Sequence, residues 1–318
     1  MKKALITHSD FGSGNKEAVN KIFDGSSCEV VFNKTGRAMS ETEIIDCVNR
    51  EGVEAILVYS SADQLTQKVF ENCPSLKVVS RHGVGVDNID IATAKKYGVE
   101  VRTTAGGNDF QAVADLTFGL LLAAARQIAF SDRCIRQKIW RRDKAIDIWG
   151  KTLGIIGFGR IGKAVAQRAK GFDMKILVSD PFVEGQSTEN SDIFFVDRND
   201  LFKKSDFITL HCNATLKNQQ MINEEAIAQM KDGAILVNTA RASLVCSDAL
   251  LEGLKTGKLA AAAVDVYDEE PAMEDKLIKA GLENMVFTPH LGPYTKEVLE
   301  EMDILAAKNL VAPKKCFA

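Results

Sequence analysis

Short runs that are apolar at nearly every position alternate along the chain with longer stretches in which apolar residues recur every three or four positions. The short runs are typical of strands buried on both faces, and the longer stretches of amphipathic helices. In the first third of the chain, strands are predicted at Lys3–Thr7, Glu29–Phe32, Ala55–Tyr59 and Lys77–Ser80, and helices at Glu41–Arg50 and Gln64–Asn72. This alternation predicts a parallel sheet with helices on both faces.

The same rhythm restarts after Val99–Thr104 and a long apolar helix at about Gln111–Arg126. Strands are then predicted at Leu153–Ile156, Lys175–Ser179, Ile193–Val196, Phe207–Leu210, Ala234–Asn238, Ala261–Val266 and Met285–Thr288, and a closing helix at Tyr294–Ala312. The pattern therefore predicts an α/β protein of two modules, with a boundary near residue 100.

Composition narrows the classes of partner. The 318 residues are enough for two domains, and the formal net charge of −3 provides no basic field that would attract nucleic acid or an anionic membrane. The first residues lack the apolar core of a signal peptide, and the longest apolar run, Leu116–Ala125, is too short for a membrane helix. Seven scattered cysteines without a CxxC pair indicate reduced thiols and no metal site. A cytoplasmic protein is expected.

A glycine-rich turn gives the first indication of chemistry. The strand Leu153–Ile156 leads into Gly157–Gly162 (GFGRIG), and a helix follows. Gly157 permits a tight turn, Gly159 allows a pyrophosphate to approach the backbone, and Gly162 allows close packing of helix on strand. Asp180 ends the next strand, 18 residues beyond Gly162, where an acidic residue binds ribose hydroxyls and disfavours a 2′-phosphate. The motif favours NAD over NADP; the alternative is a plain turn with a surface aspartate.

Histidine is the side chain best suited to exchange a proton with a ketone or alcohol oxygen near neutral pH. The chain has four: His8, His82, His211 and His290. Each lies close to the carboxyl end of a predicted strand. Ligands of open α/β sheets bind at these ends, so all four histidines are candidates. Position alone does not choose among the four.

Five segments, in order, resemble the D-isomer-specific 2-hydroxyacid dehydrogenase family, which includes phosphoglycerate dehydrogenases, glyoxylate and hydroxypyruvate reductases and D-lactate dehydrogenases. The segments are Arg81–Asn88, Gly154–Gly162, Ile235–Arg241, Val264–Pro271 and Thr288–Gly292, and the resemblance extends over about residues 52–305. It implies an NAD-dependent oxidoreductase with two Rossmann-like, doubly wound parallel-sheet domains and an interdomain cleft. Residues 1–100 with 291–318 are expected to form the substrate-binding domain, and residues 101–290 the NAD-binding domain.

The resemblance implies a catalytic set of Arg241, Glu270 and His290. The side-chain chemistry agrees with these roles. The planar fork of Arg241 suits a carboxylate and the adjacent keto oxygen. His290 would donate the proton in reduction and accept it in oxidation, and Glu270 would fix its tautomer and favour its acid form.

Binding residues follow from the same resemblance. The loop around Val84 and Gly85 would bind the substrate carboxylate through backbone N–H groups, together with Arg241. The residues expected to contact the cofactor are Gly157, Gly159, Arg160, Ile161, Asp180, Thr239, Ala240 and Asp265, the last as partner of the nicotinamide carboxamide. Arg81 and His82 either touch the substrate or flank the turn, and they stay outside the catalytic set. The helix at Gln111–Arg126 resembles the family's dimer-forming element, so a homodimer is expected.

Several positions depart from the family pattern, among them Ala242, where glycine is usual, and Cys246, where an acidic residue is usual. They put the identity of the substrate in doubt more than the reaction type. Hydroxypyruvate, glyoxylate, pyruvate and 3-phosphohydroxypyruvate all stay open, as does the physiological direction. Two other functions remain: an NAD-sensing, corepressor-like binding protein without significant turnover, and phosphite oxidation.

Overall fold

The computed structural model describes residues 2–183 and 192–312. Contacts divide the chain into two compact units. Unit 1 comprises Met1–Asn108 and Thr295–Ala318, and unit 2 comprises Asp109–Tyr294. Each unit contains one parallel sheet flanked by helices, which confirms the predicted α/β class with two parallel-sheet domains.

The elements are numbered in chain order. Residues up to 108 form β1 Lys2–Ile6, α1 Lys16–Ser26, β2 Cys28–Phe32, α2 Glu41–Glu51, β3 Ala55–Val58, α3 Gln67–Asn72, β4 Val78–Arg81, α4 Ile91–Lys96 and β5 Glu100–Thr103. Residues 109–294 form α5 Asp109–Ala125, α6 Ile128–Arg136, β6 Thr152–Ile156, α7 Arg160–Ala169, β7 Lys175–Ser179, β8 Ile193–Phe195, α8 Arg198–Lys204, β9 Phe207–Leu210, α9 Glu224–Gln229, β10 Ala234–Asn238, α10 Ser247–Lys255, β11 Leu259–Val264, α11 Lys276–Lys279 and β12 Met285–Phe287. The chain closes with α12 Lys296–Val311.

Both sheets are parallel and reverse their strand order once. Unit 1 has the order β2-β1-β3-β4-β5, and unit 2 has the order β12-β11-β10-β9-β6-β7-β8. The reversal lies between β1 and β3 in unit 1 and between β9 and β6 in unit 2. Open α/β sheets bind ligands in the crevice at the carboxyl ends of the strands where the order reverses. The topology therefore marks one candidate edge in each unit.

Local sequence explains where the helices begin and end. In α2, the Ser40 side chain accepts a hydrogen bond from the Glu43 N–H, and the Glu43 carboxylate accepts one from the Ser40 N–H. This reciprocal cap satisfies two N–H groups that the helix leaves unpaired. Gly52 ends the helix at φ +65°, a left-handed conformation that glycine adopts without strain. Ile44, Cys47 and Val48 lie three and four positions apart and pack into the core.

Two helices pack apolar residues into the interiors of their units. In α5, nine of the 17 residues are buried, and the helix packs in the same core as β6 and α7. In unit 1, Ala306 and Leu310 of α12 pack against β1 and β3. The buried hydroxyl of Ser80, in β4, donates to the Ala306 carbonyl at 2.9 Å. This bond ties the closing helix to the centre of the sheet.

Most observed boundaries differ from the predicted ones by one to three residues, and two of these differences are informative. The helix predicted from Gln64 begins at Gln67, because Leu65 instead forms a backbone bridge with Ile89. The strand predicted at Ala261–Val266 lies at Leu259–Val264. Alanine has little preference for strands, so the alanine-rich start of this element carries a weak signal.

No single helix among residues 2–183 and 192–312 has the length and apolar composition of a membrane span; Asp109–Ala125 and Ile128–Arg136 meet that test only as a pair bent by 62°. None of the six cysteines within the same residues forms a disulfide. Cys316 lies outside the described residues.

Candidate functional site

Three adjacent strands of unit 2 bring the predicted catalytic residues to one edge of the sheet. Arg241 follows β10, Glu270 lies in the loop after β11, and His290 follows β12. Since β10, β11 and β12 are parallel neighbours, their carboxyl ends meet at the same edge. Residues up to 49 positions apart in sequence thus converge through the topology alone.

His290 and Glu270 form a directly hydrogen-bonded pair. The Nδ1 atom of His290 lies 2.9 Å from both carboxylate oxygens of Glu270. An ionised carboxylate only accepts hydrogen bonds, so Nδ1 carries a proton and Nε2 becomes the nitrogen that can exchange one. His290 has φ +54°, in the left-handed region that few residues other than glycine and asparagine adopt readily. The loop therefore holds His290 in an unusual backbone conformation.

The environment of Glu270 keeps its carboxylate ionised. Burial is the largest single influence on the pKa of Glu270 and raises it. The hydrogen bond and charge of His290, a backbone hydrogen bond of Tyr267 and the charge of Arg241 together outweigh burial, so the pKa lies below the ordinary glutamate value. The influence of Arg241 shows that its positive charge acts on the same pair.

Asp265 fastens the loop that carries His290. Its carboxylate accepts hydrogen bonds from the Thr288 hydroxyl at 2.6 Å and from the N–H groups of Leu291 and Gly292 at 2.7 and 2.9 Å. Burial raises the pKa of Asp265 and outweighs these hydrogen bonds, which lower it. The family resemblance assigns Asp265 to the nicotinamide carboxamide and does not indicate this second role. No sequence signal reports it, because the partners lie more than 20 residues away.

The segment between β10 and Arg241 is stabilised by its own side chains. The Asn238 side chain accepts from the Ala240 N–H at 3.0 Å and donates to the Arg241 carbonyl at 2.9 Å. The Thr239 hydroxyl lies 3.0 Å from the buried hydroxyl of Thr117 in α5. Arg241 donates from Nη1 to the Ala240 carbonyl at 2.7 Å. The backbone that presents Arg241 is thus fixed at several points.

The glycine-rich turn has the geometry of a phosphate cradle. A Cβ on Gly157, at φ +95°, would lie 2.5 Å from the Cys212 nitrogen, and a Cβ on Gly162 would lie 2.1 Å from the Gly157 oxygen. Larger residues are excluded at both positions. A Cβ on Gly159 would meet no atom within 4 Å, so backbone at the start of α7 faces open space. The unpaired N–H groups of a helix N-terminus attract phosphate.

Asp180 and Arg160 flank this turn. Asp180 accepts from the Phe158 N–H at 2.7 Å and from the Phe182 N–H at 2.9 Å, which ties the end of β7 to the turn. Arg160 opens α7, and its Nη2 lies 3.5 Å from Asp109 Oδ1. The side chain of Ile161 packs against the core, so its backbone is the part that can contact a ligand. Each carboxylate oxygen of Asp180 can accept a further hydrogen bond.

The two ring nitrogens of His211, both buried, support a ligand at this turn. His211 follows β9, and the backbone of His211 and Cys212 lies against Gly157. Neither ring nitrogen has a hydrogen-bond partner within the part of the chain that the structure describes, and burial lowers the pKa of His211 to about 3. A buried polar group without a partner costs free energy, which a bound ligand would relieve. With the open backbone at Gly159, these residues fit a bound dinucleotide.

Unit 1 contains the remaining predicted residues. Val84 and Gly85 follow β4, and Arg81 braces their loop by donating to the carbonyls of Gly85, Tyr59 and His82. His82 is buried, with Nε2 at 3.0 Å from Asp303 in α12. Arg81 and His82 thus both have structural contacts within unit 1.

Several known proteins are similar to this chain in sequence and in fold. The family model of the D-isomer specific 2-hydroxyacid dehydrogenase NAD binding domain matches residues 118–292. A glyoxylate reductase of Thermococcus litoralis is 42% identical over 265 residues, covering 80% of this chain and 79% of that protein. A hydroxypyruvate reductase of Thermotoga maritima is 38% identical, covering 90% and 94%. A crystal structure of a Thermus thermophilus protein aligns with a TM-score of 0.86 at 33% identity, covering 98% of this chain and 96% of that one.

Proposed function

Because the chain belongs to the D-isomer-specific 2-hydroxyacid dehydrogenase family and is therefore an NAD-dependent oxidoreductase, we propose that it interconverts a small D-2-hydroxy acid and its 2-keto acid. In this proposal, His290 is the acid–base residue. The observation that carries this proposal is the hydrogen-bonded pair of His290 and Glu270 within the electrostatic influence of Arg241.

The protein side chains would manage the proton and the charge. The chemistry that bound NAD would supply is the transfer of a hydride to or from C2 of the substrate. His290 would donate the proton on Nε2 to the C2 oxygen during reduction and would take it back during oxidation. Glu270 accepts from Nδ1 and would stabilise the positive charge that the imidazole carries before donation. Such a positioned acid contributes about 10²–10⁴-fold to the rate.

Arg241 would bind the anionic end of the substrate. Its guanidinium offers donors in a planar fork that matches a carboxylate and the neighbouring keto oxygen. In unit 1, the backbone N–H groups of Val84 and Gly85 would bind a carboxylate in the same way as other glycine-rich turns bind anions. These roles are part of the proposal.

The cofactor would be held along the carboxyl edge of unit 2. Gly157, Gly159, Arg160 and Ile161 would hold its phosphates at the start of α7, and Asp180 would bind the adenosine ribose hydroxyls. Thr239, Ala240 and Asp265 would line the nicotinamide end. Asp265 would combine this contact with its three bonds to the His290 loop.

We expect two alanine variants of the glycine-rich turn to separate binding from folding. Gly159→Ala adds a methyl group where no protein atom lies within 4 Å, so its melting temperature should stay unchanged. If a phosphate lies there, the Kd for NADH should rise about 10- to 100-fold. Gly162→Ala places its Cβ 2.1 Å from the Gly157 oxygen and should lose about 1–3 kcal/mol of unfolding free energy. Calorimetric titration measures the Kd for NADH, and thermal melts measure the stability of each variant. Unchanged NADH affinity in Gly159→Ala would contradict the placement of the cofactor phosphates at this turn.

The direct test of the proposed function is NADH oxidation on a panel of 2-keto acids containing glyoxylate, hydroxypyruvate, pyruvate and 3-phosphohydroxypyruvate. Rapid turnover of one acid, lost on substitution of His290, would support the proposal and identify the substrate. Tight NADH binding without turnover of any acid would overturn it in favour of a nucleotide-sensing role.

We expect Glu270→Gln to lower kcat by at least about tenfold, because a neutral amide no longer stabilises the charged imidazole. The pKa of Glu270 is depressed, so its ionised form contributes stability above the unfolded-state pKa of about 4.3, and this contribution is lost as pH falls through the lower folded-state value. As pH is lowered from neutral to below the folded-state pKa of Glu270, the melting temperature should therefore fall less steeply for Glu270→Gln than for the wild type. Equal slopes would indicate that the pair does not stabilise the fold.

We also propose that the chain forms a homodimer. α5, which resembles the family's dimer element, is largely buried within unit 2. Exposed apolar side chains lie just beyond it: Ile128 and Ile135 of α6, and Trp140, which is 77% exposed. A second copy would cover such a surface. Sedimentation equilibrium tests the assembly, and a monomer at micromolar concentration would contradict it.

A further inference from the structure

The loop that carries His290 makes a three-residue turn. The His290 N–H donates to the Thr288 carbonyl at 3.0 Å, across Pro289. A carbonyl oxygen has two lone pairs, so the Thr288 oxygen can accept one further hydrogen bond. A donor at this second position acts on the same atom that holds the backbone of His290.

Tyr267 supplies that second hydrogen bond. Its hydroxyl donates to the Thr288 carbonyl at 2.9 Å. Burial raises the pKa of Tyr267 to about 12, and the charges of three carboxylates act in the same direction, those of Asp265, Asp275 and Glu270. The hydroxyl therefore keeps its proton, and remains a donor, throughout the neutral pH range.

Tyr267 also contacts the other member of the pair. A backbone hydrogen bond joins Tyr267 to Glu270. An ionised carboxylate only accepts hydrogen bonds, so the Tyr267 N–H is the donor. Glu270 in turn accepts from Nδ1 of His290 at 2.9 Å. Tyr267 thus binds the pair at both ends, at the carboxylate through its N–H and at the turn through its hydroxyl.

Asp265 holds different groups of the same loop. Its carboxylate accepts from the Thr288 hydroxyl and from the N–H groups of Leu291 and Gly292. Tyr267 lies two residues further along the chain, just past β11, and its hydroxyl binds a carbonyl, which a carboxylate cannot do. The ring of Tyr267 packs against the apolar core around β10 and β11, which fixes the direction of the hydroxyl.

We propose that Tyr267 is a positioning residue for the acid–base step and that its hydroxyl, acting through the turn, aligns the imidazole of His290 with Glu270. This inference rests on the proposed function, which assigns the acid–base role to His290, and it adds a residue that acts through the loop. A hydrogen bond weakens steeply as its geometry departs from linear. Loss of the hydroxyl should therefore weaken the support that the carboxylate gives to the charged imidazole.

Tyr267→Phe removes the hydroxyl and keeps the ring in the core, so the variant should fold. We expect kcat on the best acid of the panel to fall about three- to tenfold, while KM for the acid and Kd for NADH stay within about twofold. In the direction of reduction, the alkaline pH at which kcat falls to half its maximum should decrease by about 0.3 unit or more. The charged groups that act on the pair, Asp265 on His290 and Arg241 on Glu270, are retained.

Tyr97→Phe is the matched control, because it deletes a hydroxyl from a residue that is 44% exposed in unit 1. It should have the wild-type kcat, pH profile and melting temperature. A double-mutant cycle with Glu270→Gln then separates positioning from a structural role. If Tyr267 acts through the pair, Tyr267→Phe should lower kcat much less in the Glu270→Gln background than in the wild type.

Equal fold losses of kcat in both backgrounds would overturn the inference and leave the proposed function standing. A lower melting temperature of Tyr267→Phe with the wild-type kcat and pH profile would overturn it in the same way, because the hydroxyl would then serve only the fold.

If no acid is turned over, the proposed function fails, and the alignment is tested without turnover. The imidazole of His290 is titrated by NMR in the wild type, Tyr267→Phe and Tyr97→Phe, and its signal is identified by its absence in His290→Asn. A titration midpoint displaced to lower pH in Tyr267→Phe alone would support the alignment of the pair by Tyr267. The same midpoint in all three proteins would overturn it.

Discussion

Replacement of His290 by asparagine should lower kcat by about 10²–10⁴-fold and leave the Kd for NADH unchanged. The structural reason is that Nδ1 is committed to Glu270, so Nε2 is the atom that exchanges the proton with the substrate. Asparagine is preferred to alanine because His290 has φ +54°, a conformation that asparagine tolerates better than most residues. The substitution therefore removes the titrating group with little added backbone strain.

Steady-state rates on the best acid of the panel, measured across pH, give the result. The pH dependence that reports the imidazole should disappear with the rate. Gln127→Asn is the matched control, because Gln127 also has φ +54° and caps α6 away from the proposed site. It should keep the wild-type kcat. If His290→Asn retains more than about a tenth of the wild-type kcat, another group supplies the proton.

The sequence predicts the framework of this protein well because the inner strands of both sheets are largely buried on both faces. Each strand is then a short apolar run bounded by turn residues, a signal that does not depend on distant contacts. The glycine-rich turn is local where Gly157 adopts φ +95° and where a Cβ on Gly162 would meet the Gly157 oxygen, but a Cβ on Gly157 would also meet the backbone of Cys212, 55 residues away. These features were correctly placed to within about two residues.

The convergence of Arg241, Glu270 and His290 is only partly local. Sequence patterns indicate that each follows a strand, but the order β12-β11-β10 is what makes the three strands neighbours. The motifs of a known family supplied that adjacency before the structure did. Periodicity alone offered four histidines at strand ends without a reason to choose among them.

Contacts between distant side chains could not be predicted. Asp303 lies 221 residues from His82, and nothing in the pattern of α12 indicates that its buried aspartate meets a histidine that follows β4. The same holds for Asp265, whose carboxylate holds the loop after β12, and for Tyr59, whose ring stacks between two histidines. Such contacts depend on side-chain directions in three dimensions, and these follow from packing rather than from spacing.

Replacement of Arg241 by lysine should lower kcat/KM for the 2-keto acid about 10- to 100-fold, chiefly through KM. Lysine keeps the positive charge but loses the fork that binds two oxygens at once, and a hydrogen bond to a charged group contributes about 1.5–3 kcal/mol. The hydrogen bond and charge of His290, which lower the pKa of Glu270 more than Arg241 does, remain in this variant, so the acid–base step should be less affected than binding. Arg241→Gln, which removes the charge as well, should be worse in both KM and kcat.

Arg133→Lys, a conservative change at an exposed position of α6, is the matched control and should have wild-type kinetics. The Kd for NADH should be the same in all these variants, because Arg241 is proposed to contact the substrate and not the cofactor phosphates. A fall in kcat with unchanged KM in Arg241→Lys would instead indicate that the guanidinium acts mainly on the reacting oxygen in the transition state. Wild-type kcat/KM in both Arg241 variants would remove Arg241 from the site. The relative changes in KM and kcat of the Arg241 variants thus indicate whether the guanidinium at the end of β10 acts mainly by binding the substrate carboxylate or by polarising its keto group.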